Sequence, residues 1–104
     1  MQSDLWVVRI GTEPRDPDSN ELLELVMAGA SLEVPLLVIF SGAGRGHLCG
    51  TWSDRWRQLI DFDLAELVYQ VDEGASFEPD IAVGGLDAAK IDCKCSQARG
   101  VLDL

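Results

Sequence analysis

One run limits what this chain can become more than any other: Pro35, then Leu36-Leu37-Val38-Ile39-Phe40, then Ser41 and the glycine-rich stretch GAGRGHLCG. Five successive apolar residues have no polar side to turn toward water. They fit a strand buried on both faces, near the centre of a sheet. Proline can open such a strand but could not sit in its middle, and the glycines close it. A strand covered above and below requires helices on its flanks.

The rest of the chain supplies them in alternation. Residues 5–10, LWVVRI, form a first short, nearly continuous apolar strand. GTEPRDPDSN carries two prolines and several turn formers, so it is a loop. ELLELVMAGASL reads as a helix, with Asp18 and Glu21 at capping-box spacing and Asn20 as a rival cap. Its apolar stripe is wide: Leu22, Leu25, Val26 and Gly29 on one line, Leu23, Met27 and Ala30 beside it. Gly29 and Ala30 permit close approach near its end. After the central strand, TWSDRWRQLIDF predicts a second helix, capped by Thr51 or Ser53. Trp52, Trp56, Leu59 and Ile60 share a face from which Arg55 and Arg57 fall away.

LAELVYQV, residues 64–71, predicts a third strand, and DEGASFEPD another loop. Residues 81–83, IAV, form a short strand or a buried link, broken by Gly84 and Gly85. LDAAKIDCKCSQA predicts a third helix with Ala88, Ile91, Cys95 and Ala98 on one side, and GVLDL a terminal strand. The order β-α-β-α-β-β-α-β argues for one domain, residues 1–104, built on a parallel sheet covered by helices.

Charge narrows the function classes. Eighteen acidic residues face eight basic ones, for a formal net charge of −10. Such a surface repels a phosphate backbone, which disfavours nucleic acid and anionic membrane as direct ligands and leaves a basic partner protein open. No apolar run approaches the roughly 20 residues that span a bilayer, and the first residues, MQSDLWVV, do not read as a secretory signal. Three cysteines, an odd number, predict free thiols and a reducing, cytoplasmic setting rather than a disulfide framework.

The candidate site is the segment after Phe40. SGAGRGHLCGT has no lysine for a phosphate-binding loop, and its glycines are too widely spaced for a dinucleotide fingerprint. It is read either as a tight loop at the carboxyl end of a strand or as a small-ligand cradle. Cys49 sits ahead of a helix, where amide N–H groups and the helix dipole favour a thiolate, and Arg45 and His47 add nearby positive charge. A buried, inert cysteine is the alternative. Cys93 and Cys95 do not share a helix face. No cofactor and no metal site is predicted, because the cysteine and histidine spacing gives a zinc site no support. Trp52 and Trp56 either pack in the core or form an interface patch.

Several segments resemble the DsrE/DsrF-like family, most closely the TusC/DsrF branch of sulfur-relay subunits. The segments are GTEP (11–14), the helix at 20–31, LLVIFSGAG (36–44), DFDLAELVYQVDE (61–73) and GVLDL. Thr12, Glu13 and Pro14 echo a T-A-P-x-G segment of that branch. Phe62, Asp63, Leu64, Val68, Tyr69, Gln70 and Val71 echo its L-Y-D-I-x-x-V-Y-V, and Val101, Leu102, Asp103 and Leu104 echo its closing V-L-x-F. Phe40, Ser41, Gly42, Ala43 and Gly44 stand where the branch has F-x-x-D-G-V, so the Asp-Gly pair is replaced.

The resemblance implies a three-layer α/β sandwich with a mainly parallel five-stranded sheet. It implies a cytoplasmic subunit that forms homo-oligomers, or hetero-oligomers with DsrE-like and DsrH-like sisters, and meets a sulfur-donor or acceptor protein. In such assemblies persulfide sulfur passes between cysteines, carried mainly by the DsrE/TusD-type sister. A partner role is therefore implied more than catalysis. Were Cys49 to act, its thiolate would attack a donor persulfide, hold the sulfane sulfur, and release it to an acceptor thiol.

Overall fold

The computed structural model describes residues 4–15, 19–32, 34–71 and 76–104. Five strands and three α-helices alternate: β1 (Trp6–Ile10), α1 (Ser19–Ser31), β2 (Leu36–Phe40), α2 (Ser53–Asp61), β3 (Glu66–Gln70), β4 (Gly84–Leu86), α3 (Ala88–Gln97) and β5 (Gly100–Asp103). Two 3-10 segments, Gly42–Leu48 and Gly50–Trp52, link β2 to α2. Every strand pair is parallel, in the order β4-β3-β2-β1-β5. The run LLVIF is the middle strand, and all five of its residues are buried.

Two apolar layers flank the sheet. On one face Val8, Ile10, Leu36, Val38, Phe40 and Leu67 meet Val26 and Ala30 of α1, Trp56 and Leu59 of α2, and Leu48. On the other, Val7, Leu37, Ile39 and Val68 meet Ile91 of α3, with Cys95 and Ala98 beside it. The alternation of neighbouring strand residues between these layers is the period-2 signature of a strand, and the two helical layers make three layers in all.

Helix α1 ends where Leu32 and Val34 donate back to the carbonyl of Gly29. As the small residues predict, the helix approaches closely there: a Cβ on Gly29 would lie 3.3 Å from Leu36 Cδ1. The stripe is centred one residue later than expected, on Val26 and Ala30, so that Leu25 is 50% exposed. Asp18 and the side chain of Asn20, the expected caps of α1, lie outside the described residues. Helix α3 has a cap in Asp87, whose carboxylate accepts from Lys90 N at 2.8 Å. For α2 the expected cap is corrected. Its N-cap is Trp52, without a side-chain cap bond, and Ser53 Oγ instead donates to Gly50 O at 2.7 Å.

The fourth strand also differs from the sequence reading. Ile81 is a buried link, and the strand is formed by the glycines expected to break it, Gly84 and Gly85, with Leu86. Tyr69 is the reason. It pairs with Gly85 across β3 and β4, and a Cβ on Gly85 would lie 3.0 Å from Tyr69 Cζ and 2.6 Å from Val71 Cγ2. The neighbouring aromatic ring occupies the place that a side chain would take.

Candidate functional site at the carboxyl edge of the sheet

The parallel arrangement gathers the loops after β1, β2 and β3 at one edge, where open α/β sheets place their ligand sites. The glycine-rich segment lies there because β2 ends there. Ser41 N donates to Ile10 O at 3.0 Å, and Gly44 N returns to Ser41 O at 2.9 Å. Gly44 rests directly on β1: a Cβ at that position would lie 2.0 Å from Ile10 O, so only glycine fits. Gly50, at φ +58°, takes a left-handed conformation that glycine adopts at least cost. The amides are turned inward. Cys49 N donates to Gly46 O at 3.2 Å, and Gly50 N donates to the Asp80 carboxylate. This is a packed 3-10 turn rather than an array of N–H groups waiting for a phosphate.

His47 lies 3% exposed at its centre. Trp56 Nε1 is 3.3 Å from His47 Nδ1, and His47 Nε2 is 2.9 Å from Thr12 O. An indole nitrogen only donates and a carbonyl only accepts. Nδ1 therefore accepts and Nε2 carries the proton, so the imidazole is neutral with both nitrogens satisfied. Burial lowers its pKa below the model-compound 6.5, the Thr12 carbonyl opposes the shift, and Arg55 adds to it. The Phe40 and Trp56 rings meet edge to face at 5.0 Å, and the imidazole stands against both. His47 joins the β1 loop, the 3-10 segment and α2.

Cys49 is half-buried at the end of that segment. Its thiol faces Arg45 O at 3.9 Å. Burial pushes its pKa up, and the Asp80 carboxylate pushes it further. Of the two settings the sequence left open, a thiolate-favouring one and a buried thiol, burial first and then Asp80, distant in sequence, both act against the thiolate. The Arg45 guanidinium lies 5.3 Å from the centre of the Phe77 ring, and its Nε donates to Gly42 O at 3.3 Å. The structure thus gathers Arg45, His47 and Cys49 in one turn, with both ring nitrogens of His47 spent on Thr12 and Trp56.

All three cysteines are free thiols. Cys93 is exposed on α3, across the sheet from Cys49, and Cys95 packs partly under the same helix. Among the described residues no three His, Cys, Asp or Glu side chains converge as a metal site would require, and no helix is long and apolar enough to cross a membrane. Of the tryptophan pair, Trp56 is core at 1% exposure, while Trp52 is half-buried under Arg55, whose guanidinium lies 5.1 Å from the ring centre.

Sequence reasoning missed two features. Asp80 and Phe77, in a loop read only as a loop, clasp the glycine segment; the aromatic inside an otherwise polar stretch was the available signal. The second is an apolar groove of about 230 Å³ between α1 and the β1–β5 side of the sheet, lined chiefly by Trp6, Val8, Leu25, Gly29 and Leu102. Its signal was an apolar stripe on α1 wider than one helix can bury.

The fold and this edge define a mixed α/β domain on a five-stranded parallel sheet. No protein-family model matches the chain, and no curated protein matches it significantly.

Proposed function

We propose that this chain is a non-catalytic assembly subunit of the sulfur-relay type, working in the cytoplasm beside sister subunits that carry the persulfide. The resemblance of its segments to the TusC/DsrF branch supports the class, and the parallel sheet is compatible with it. The observation that carries the non-catalytic part is the state of the glycine segment. His47 spends both ring nitrogens on Trp56 and Thr12, and Cys49 has its pKa raised by burial and Asp80. A persulfide carrier needs an accessible thiolate, and this turn holds a protonated thiol among groups that serve packing.

Thiol chemistry tests the reading. With limiting iodoacetamide at neutral pH, Cys93 is labelled first and Cys49 last. After incubation with a persulfide donor, Cys49 carries no added sulfur atom by mass. Rapid alkylation of Cys49, or one extra sulfur upon it, would overturn the proposal and make Cys49 a carrier.

A further inference from the structure

The sheet has two outer strands, and β5 is one of them. An edge strand presents alternate N–H and C=O groups with no partner, a template for an added strand. On β5 that edge is apolar as well: Val101 is 37% exposed and Leu102 42%. Leu102 also lines the groove, across from Leu25 of α1. About 230 Å³ is small for a drug-sized ligand, whose sites run from about 300 to 1,000 Å³. It suits one large apolar side chain.

Charge says what kind of chain would bring it. Helix α1 carries two acids, Glu21 and Glu24, both exposed, and no basic residue. Glu21 stands one turn before Leu25 on the same line of the helix, and it is exposed. The two arginines flanking the edge are each placed against an acid: Arg9 with Asp103 at 3.5 Å, and Arg99 with Asp4 at 3.8 Å. A second copy carries the same formal net charge of −10 and is repelled, whereas a basic segment is drawn to this acidic face.

We infer that the free edge of β5 and the groove beside it receive an extended, basic segment of a partner protein. The segment adds as a sixth strand and seats one apolar side chain between Leu102 and Leu25. Main-chain bonds supply affinity, the groove selects the seated residue, and the acids of α1 select lysine or arginine flanking it. The inference deepens the assembly reading, because it names the chemistry of what assembles.

The test uses the full chain and a short labelled peptide of alternating lysine and leucine, with a glutamate–leucine peptide of the same length as control. The expected result is salt-sensitive binding of the lysine peptide alone, with slowed amide exchange across Gly100–Leu102. Leu25→Lys and Leu102→Lys, both at exposed positions and checked for folding by circular dichroism, each weaken it about tenfold.

Equal binding of both peptides, or binding that leaves β5 exchange unchanged, overturns the inference, as does no binding to folded protein. A doubled mass in light scattering that Leu102→Lys abolishes also overturns it and assigns the edge to a second copy. Cys49 lies outside this readout, so a chain that carries sulfur and still binds the peptide defeats only the non-catalytic reading.

Discussion

The two ends of the sheet solve one problem with the same device and finish it differently. At each, a large aromatic on the penultimate strand lies over a glycine on the last: Tyr69 over Gly85 of β4, and Trp6 over Gly100 of β5. Beyond Tyr69 the cover continues. Phe77 meets it edge to face at 5.0 Å, and Arg45 lies on Phe77. Beyond Trp6, among the described residues, it does not, and Leu25, Val101 and Leu102 stand half in water around a groove. Strand β4 is also the shorter, at three residues, and a short edge strand is a protected one. Both outer strands keep an open edge, but the aromatic beside β4 carries a loop cover and, among the described residues, the one beside β5 does not.

The strongest way to break this symmetry is to fill the two glycines. At Gly100 a Cβ would fall 2.1 Å from Trp6 Cζ3, inside a rigid indole. Gly100→Ala should cost about 3 kcal/mol in urea unfolding and expose Trp6 by fluorescence. At Gly85 the nearest atom is the tip of Val71, which can turn aside. Gly85→Ala should cost only about 1 kcal/mol in the same assay. Equal costs would mean that the two aromatics are not equivalent lids of different stiffness.

Next in size is removal of the outer cover. Phe77→Ala should destabilise by about 1–2 kcal/mol and accelerate amide exchange at Gly84–Leu86, while β5 exchange is unchanged.

Acid sharpens the contrast without mutation. Because the folded pKa of His47 is lowered, the unfolded chain binds the proton first. Stability is therefore full above 6.5, the unfolded value, and is lost as pH falls from there through the lower folded value. Protonating Nδ1 removes the acceptor for Trp56. The 3-10 segment that carries Arg45 should loosen, so β4 exchange rises before β5 exchange. His47→Gln should flatten that part of the pH–stability curve. The smallest effect is at the open end: Leu102→Lys should shift stability by no more than about 0.5 kcal/mol, since its side chain already meets water.

Much of the fold was legible in the sequence, because periodicity reports local demands. LLVIF announced a central strand, and the β-α order announced a parallel sheet, since both need only neighbours along the chain. The strand at Gly84–Leu86 was illegible for the opposite reason. Glycine disfavours a strand unless something else fills its place, and what fills it is Tyr69, which only the fold brings near. The site was legible as a location but not as chemistry. The Cys49-to-helix spacing drew attention to this loop, while the raised pKa comes from burial and then Asp80, neither visible from that spacing. The partners of His47, Thr12 and Trp56, arrive from a loop distant in sequence and from helix α2.

The pairing of β5 with β1 has a consequence for how the molecule comes together. The sheet is extended by pairing β1 with β5, a contact between Trp6–Arg9 and Gly100–Asp103. On a ribosome, Trp6 and the outer side of β1 stay bare until the residues around Gly100 emerge. Such distant pairing slows folding relative to a helical protein of this size. A nascent chain halted before β5 presents the five-residue border of β1 in place of the four-residue border of β5.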